Sequence, residues 1–124
     1  MARQQSQSAR ISGYRKNRRT MEGSEMSLTR EQRASTIREF AENMDKLGVT
    51  ADDVAVALGG TPAYAKQVVS LHARNLEDPW VVRNWLLRVA AERGVALLPF
   101  TALAGDHHDY WFLDGSYIDR GRIG

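Results

Sequence analysis

Apolar residues return every three or four positions from Ile37 through Phe40, Ala41 and Met44 to Leu47, so a helix with one buried stripe is expected from about Arg30 to Leu47. Thr29 supplies its cap, Gln32 closes a capping box, and Gly48 ends it. A second helix is expected from Ala51, where Thr50 and Asp53 can satisfy each other's backbone and Val54 and Leu58 form the apolar side. Asp52 and Asp53 fall in its first turn, where the helix dipole favours negative charge. Gly59 and Gly60 break the pattern; Thr61 followed by Pro62 restarts it, with Val68, Val69 and Leu71 on the buried side. After a connector of Arg74 to Glu77, Asp78 and Pro79 read as another cap-plus-proline start for a helix reaching about Arg93, before Gly94. Trp80, Val81, Val82, Trp85, Leu86, Leu87, Val89 and Ala90 make that helix apolar over more than one stripe. The excess suits either the C-terminal segment or a second copy of the chain.

The last 30 residues follow no helical period. Ala96 to Leu103 is a short apolar run interrupted by Pro99, expected to lie extended across the core. Tyr110 to Leu113, Asp114-Gly115 and Ser116 to Asp119 read as a hairpin with a two-residue turn, or alternatively as a helical turn ending at Gly115. A hairpin would bring Arg120 and Arg122 to a sugar-phosphate backbone as a wing; the favoured reading of the aromatic run is a cover for the helix carrying Trp80 and Trp85. The expected fold class is therefore all-α: a bundle of about four helices with a short C-terminal extended or hairpin appendage.

Helix, glycine turn and helix over Ala51 to Leu71 resemble the helix-turn-helix of the Cro and lambda-repressor type, through Val54, Ala55, Leu58 and Gly59 and then Ala65 and Val68. Ala55 is the small residue at which two such helices cross, while Gly60 and Ala65 are smaller than that family's usual aliphatic residues. The resemblance implies that the second helix is a recognition helix with Thr61, Pro62, Ala63, Lys66, Gln67 and Ser70 facing outward. Gln67 would read an adenine edge, and Lys66 a guanine or a phosphate. From about Met26 onward the chain also resembles a small uncharacterised bacterial family, a domain of unknown function associated with helix-turn-helix regulators. The shared features are Ser27-Leu28-Thr29-Arg30-Glu31-Gln32-Arg33, Asp78-Pro79-Trp80, Pro99 to Leu103 and Tyr110 to Asp114. That resemblance brings no ligand, operator or catalytic residue.

Length and charge refine this picture. With 124 residues, 43% of them hydrophobic, there is room for one core. The absence of cysteine excludes disulfides and thiolate zinc sites and suits a cytoplasmic location. No run approaches the ~20 apolar residues of a membrane helix, so no membrane partner is expected. The net charge of +2 is unevenly placed: residues 1–26 carry 6 Lys or Arg against 2 Glu, while the remainder carries 11 against 13 Asp or Glu. Residues 1–26 are poor in apolar side chains and are expected to form a disordered basic tail ahead of a domain over 27–124. Tyr14 to Arg19 would suit a basic arm on DNA, but Met26 opens the domain, and the first 25 residues read rather as an extension from an upstream start.

Asp106, His107, His108 and Asp109 carry metal-ligand chemistry, yet adjacent histidines seldom converge on one ion and no His-Glu-x-x-His accompanies them, so a polar loop is expected. No nucleophile elbow or phosphate loop is present, and Ser70 and His72 lie two apart on a helix and diverge, so neither an enzyme nor a cofactor is expected. Arg30, Arg33 and Arg38 alternate with Glu31, Glu39 and Glu42, which reads as a solvated face. The expectation is a DNA-binding transcriptional regulator, a homodimer on double-stranded DNA, with Thr61, Ala63, Lys66, Gln67 and Ser70 making the contacts. The alternative is a protein-interaction module that keeps the fold without reading DNA.

Overall fold

Caps written into the sequence set the helix starts. The computed structural model describes residues 28–124, and the expected basic tail lies outside them. In order they form α1 (Arg30–Leu47), α2 (Ala51–Leu58), α3 (Pro62–Val69), α4 (Asp78–Arg93), a 3-10 turn (His107–Asp109) and α5 (Gly115–Asp119), with no strand among the described residues. Thr29 and Gln32 close a capping box at α1, the Gln32 N–H donating to Thr29 Oγ1 at 3.0 Å and the Thr29 N–H to Gln32 Oε1 at 2.9 Å. Thr50 and Asp53 do the same for α2. The Thr61 hydroxyl accepts the Tyr64 N–H at 3.0 Å, and Pro62 takes the first position of α3, where its missing N–H costs nothing.

Helix α4 is the centre of the bundle and touches α1, α2, α3 and α5. Val81, Val82 and Leu86 are fully buried within it, and each such side chain contributes about 1.5–3 kcal/mol. Part of its apolar excess is used by the C-terminal segment: Trp80 packs on Tyr110 with ring centroids 5.2 Å apart, and the Arg83 guanidinium lies 5.1 Å from the Trp80 ring centroid. Arg83 also donates to the carbonyls of Leu103 and Gly105, fixing the path of the chain past Pro99.

Helix α1 turns a different face inward from the one its apolar periodicity predicts. Ile37 and Ala41 are exposed and Met44 is half-buried, whereas Thr36, Glu39 and Asn43 are buried beside Phe40 and Leu47. The reason is segment 95–101, which has no helix or sheet to pair its peptide groups and takes partners from α1 instead. Asn43 serves both polar groups of Leu98, accepting its N–H at 2.8 Å and donating to its carbonyl at 2.9 Å. Glu39 accepts the N–H and the hydroxyl of Thr101 at 3.1 and 2.8 Å, so it is not part of a solvated face. Phe40 packs on Phe100 at 5.1 Å between centroids.

The C-terminal appendage has no regular structure through 95–100 and then carries the 3-10 turn and α5; the hairpin over residues 110–119 does not form. Asp114, placed in the hairpin turn by the sequence pattern, instead caps α5 by accepting the Tyr117 N–H at 3.2 Å, and its own N–H donates to Glu77 Oε2 at 2.9 Å. Gly115 thus begins a helix and does not end one.

Asn43→Ala strands the N–H and carbonyl of Leu98, so a loss of about 2–4 kcal/mol is expected in urea denaturation with an unchanged m-value. A loss below about 0.5 kcal/mol contradicts the docking role of Asn43.

Candidate functional site

The turn between α2 and α3 is built on two adjacent glycines, both at positive φ. Gly59 stands at φ 86°, ψ −173°, a region open essentially to glycine alone. A Cβ there would lie 2.5 Å from Arg122 Nη2, and one on Gly60 would lie 3.3 Å from Ile123 Cγ1. The end of the described chain therefore returns to this turn. Ile123 is buried, its N–H donates to the Leu58 carbonyl at 3.0 Å, and its side chain fills the space left by the small Gly60.

That return is secured by Asp78, which is fully buried. Its carboxylate accepts from the hydroxyl of Tyr64 on α3, from the hydroxyl of Tyr117 on α5 at 2.5 Å, from Asn75 Nδ2 at 3.4 Å and from the Gly124 N–H at 3.3 Å. The expected capping role of Asp78 is corrected: Glu77 holds the cap position, without a side-chain bond, and Asp78 turns inward because four donors converge on it. The Tyr64 hydroxyl in turn accepts the Arg74 N–H at 2.9 Å, and that of Tyr117 accepts from Asn75 at 3.0 Å. Burial, and then the hydrogen bond to Asp78, pushes both tyrosine hydroxyls above their ordinary pKa.

With Tyr64, Ala65 and Val68 turned into the core, α3 presents Thr61, Pro62, Ala63, Lys66 and Gln67 to solvent. Ser70 is half-buried and stands just past the helix, its N–H bonded to the Lys66 carbonyl, so it sits at the margin of that face. Thr61 spends one lone pair on its own cap and remains exposed. Two arginines that the sequence did not connect to α3 flank it. Arg122 lies on Gly59 at the entry to the helix, and the Arg74 guanidinium lies 4.0 Å over the Tyr64 ring. Arg38, by contrast, pairs with Glu42 at 3.8 Å on α1.

The model of a family described as "Uncharacterized protein conserved in bacteria (DUF2316)" matches residues 26–114. The chain belongs to this family. No curated protein and no solved structure matches it significantly. Beyond the matched residues lie α5, Asp119, Arg122 and Ile123, the parts that bear on the glycine turn and on the histidine pair.

In this family member Asp106, His107 and His108 bring donor atoms within 4.8 Å of one another and are the described residues best placed to share a cation. Asp119, from the end of α5, joins them, which sequence distance concealed. The two imidazoles stack with centroids 4.0 Å apart. Asp119 meets His107 Nε2 at 2.8 Å and His108 Nε2 at 2.9 Å, while Asp106 meets His108 Nδ1 at 2.7 Å. The hydrogen bonds to Asp119 and then Asp106 raise the pKa of His108. The pKa of Asp119 is lowered, first by His108 and then by His107, and that of Asp106 is lowered by the backbone N–H and the ring of His108.

Gly59→Ala must either leave its backbone region or displace Arg122, and a destabilisation of about 1–3 kcal/mol is expected by denaturant titration. The histidine cluster has a pH window. A raised histidine pKa contributes stability that is complete below the unfolded value near 6.5 and is lost as pH rises through the folded value; lowered carboxylate pKa values contribute above about 4 and are lost as pH falls through the folded ones. The difference in Tm between the unsubstituted chain and His108→Gln is therefore expected to peak near pH 5.5 and to shrink towards pH 8. A difference that widens above pH 7 contradicts this ion pairing.

Proposed function

We propose that the chain is a DNA-binding transcriptional regulator in which α2, the glycine turn and α3 act as a helix-turn-helix of the Cro and lambda-repressor type, with α3 entering the major groove. The observation that carries the reading is the outward face of α3. Thr61, Ala63, Lys66 and Gln67 are exposed together, with Ser70 at the edge, on a helix whose other side is locked to α4 through Tyr64 and Asp78. Arg122 adds a cation at the entry to that face, where phosphates flank a groove-bound helix. In this reading Gln67 contacts an adenine edge, while Lys66 and Arg122 contact phosphate or guanine. A homodimer would place two such helices about one DNA turn apart.

The rival reading, a protein-interaction module, draws on Val56 of α2, 87% exposed, and Trp111, 75% exposed, since large apolar side chains left in water are frequent at interfaces.

Selection of bound fragments from random double-stranded DNA by the full chain at two salt concentrations separates these. If α3 reads DNA, a palindromic site is enriched and survives the higher salt. Gln67→Ala then relaxes one base position at a cost of about 1–3 kcal/mol, whereas Lys66→Ala and Arg122→Ala weaken all sequences alike and each lower the salt slope by about 1. No enrichment, or unchanged binding in all three variants, removes α3 as a DNA reader and leaves the interaction module.

A further inference from the structure

A cleft of about 600 Å³ opens between the start of α1, the connector after α3, the first turn of α4 and the C-terminal aromatic segment. Sites for small organic ligands commonly enclose about 300–1,000 Å³ and combine an apolar lining with a few polar groups. Here Leu71, Trp80, Leu103, Tyr110 and Phe112 supply the apolar lining, and no carboxylate among the described residues lines the cleft. Arg33 is the one charged residue among those described that does. The Arg33 Nη2 donates to the Leu71 carbonyl at 3.2 Å, which uses one of the five N–H donors of a guanidinium. The planar fork of donors matches a carboxylate.

Leu71 gives the cleft a link to α3. It stands at φ 62°, the single described non-glycine residue at positive φ. Its N–H donates to the Val68 carbonyl at 3.0 Å and the His72 N–H to that of Gln67 at 2.7 Å, the double closure that ends a helix in a left-handed residue. Glycine would make the same turn without strain. What leucine adds is a side chain on the cleft wall and a carbonyl held by Arg33, at the joint where α3 stops.

We propose that this cleft binds an apolar monocarboxylate, its body against Trp80, Tyr110 and Phe112 and its carboxylate on Arg33, and that occupancy stiffens the turn at Leu71. Such a site stands whether or not α3 reads DNA.

The test uses the full chain, with octanoate as probe and octanol as its uncharged counterpart, by calorimetric titration in the absence of DNA. Octanoate is expected to bind at least about tenfold more tightly, the increment of one charge-assisted bidentate contact. Arg33→Gln, at an exposed position, brings the two probes to within about threefold of each other and leaves octanol affinity unchanged, whereas Leu71→Gly keeps the turn and weakens both. Bound octanoate also slows amide exchange at His72. No octanoate binding, equal affinity for the two probes, or an undiminished preference in Arg33→Gln overturns the site. Binding without slower exchange at His72 overturns the coupling to α3.

Discussion

A buried carboxylate holds this bundle together at one point. Asp78 is fully buried, and removing it would take the acceptor from the hydroxyls of Tyr64 and Tyr117 and from the Gly124 N–H, at a point where the Tyr64 hydroxyl is buried. Its donors come from α3, the connector, α5 and the residue after Ile123, so one side chain at the start of the central helix sets the position of everything around the α2–α3 turn. Apolar packing alone is non-directional and would tolerate α3 sliding on α4. Four directed bonds do not, and the outward face of α3 inherits that fixed orientation.

The same economy governs the other side of the molecule. A segment outside any helix, with no sheet among the described residues to join, must find partners for its peptide groups, and α1 provides them through Asn43 and Glu39 beside Phe40 and Leu47. The cost is a helix whose apolar Ile37 is left partly in water. The gain is that segment 95–101 is held in one register, which carries the chain round to the aromatic cover over Trp80.

Local signals were readable and distant ones were not. The starts of α1, α2 and α3 follow from Thr29, Thr50 and Thr61-Pro62, and the ends of α1 and α2 from Gly48 and Gly59, because cap and helix lie within four residues of each other; α3 is closed at Leu71 without a glycine. Asp78-Pro79 and Asp114-Gly115 are each ambiguous as dipeptides. Asp78-Pro79 has the form of a cap and holds a buried hub, whereas Asp114-Gly115 has the form of a hairpin turn and holds a cap. What decides them is Tyr64, Tyr117 and Gly124 in one case and Glu77 in the other, residues that no local window joins. The outward positions of α3 were legible from its own period. Arg122 beside them was not, since it arrives from more than 50 residues away.

The bond from the Ile123 N–H to the Leu58 carbonyl also bears on the order of assembly. Helices α2 and α3 can pair as soon as both leave the ribosome, being neighbours in sequence. Their turn is closed only when Ile123 covers Gly60, so more than 50 residues beyond α3 must be synthesised before the glycine turn is sealed. Until then Gly60 and the Leu58 carbonyl stay open to solvent, and Ile123 covers both when it docks.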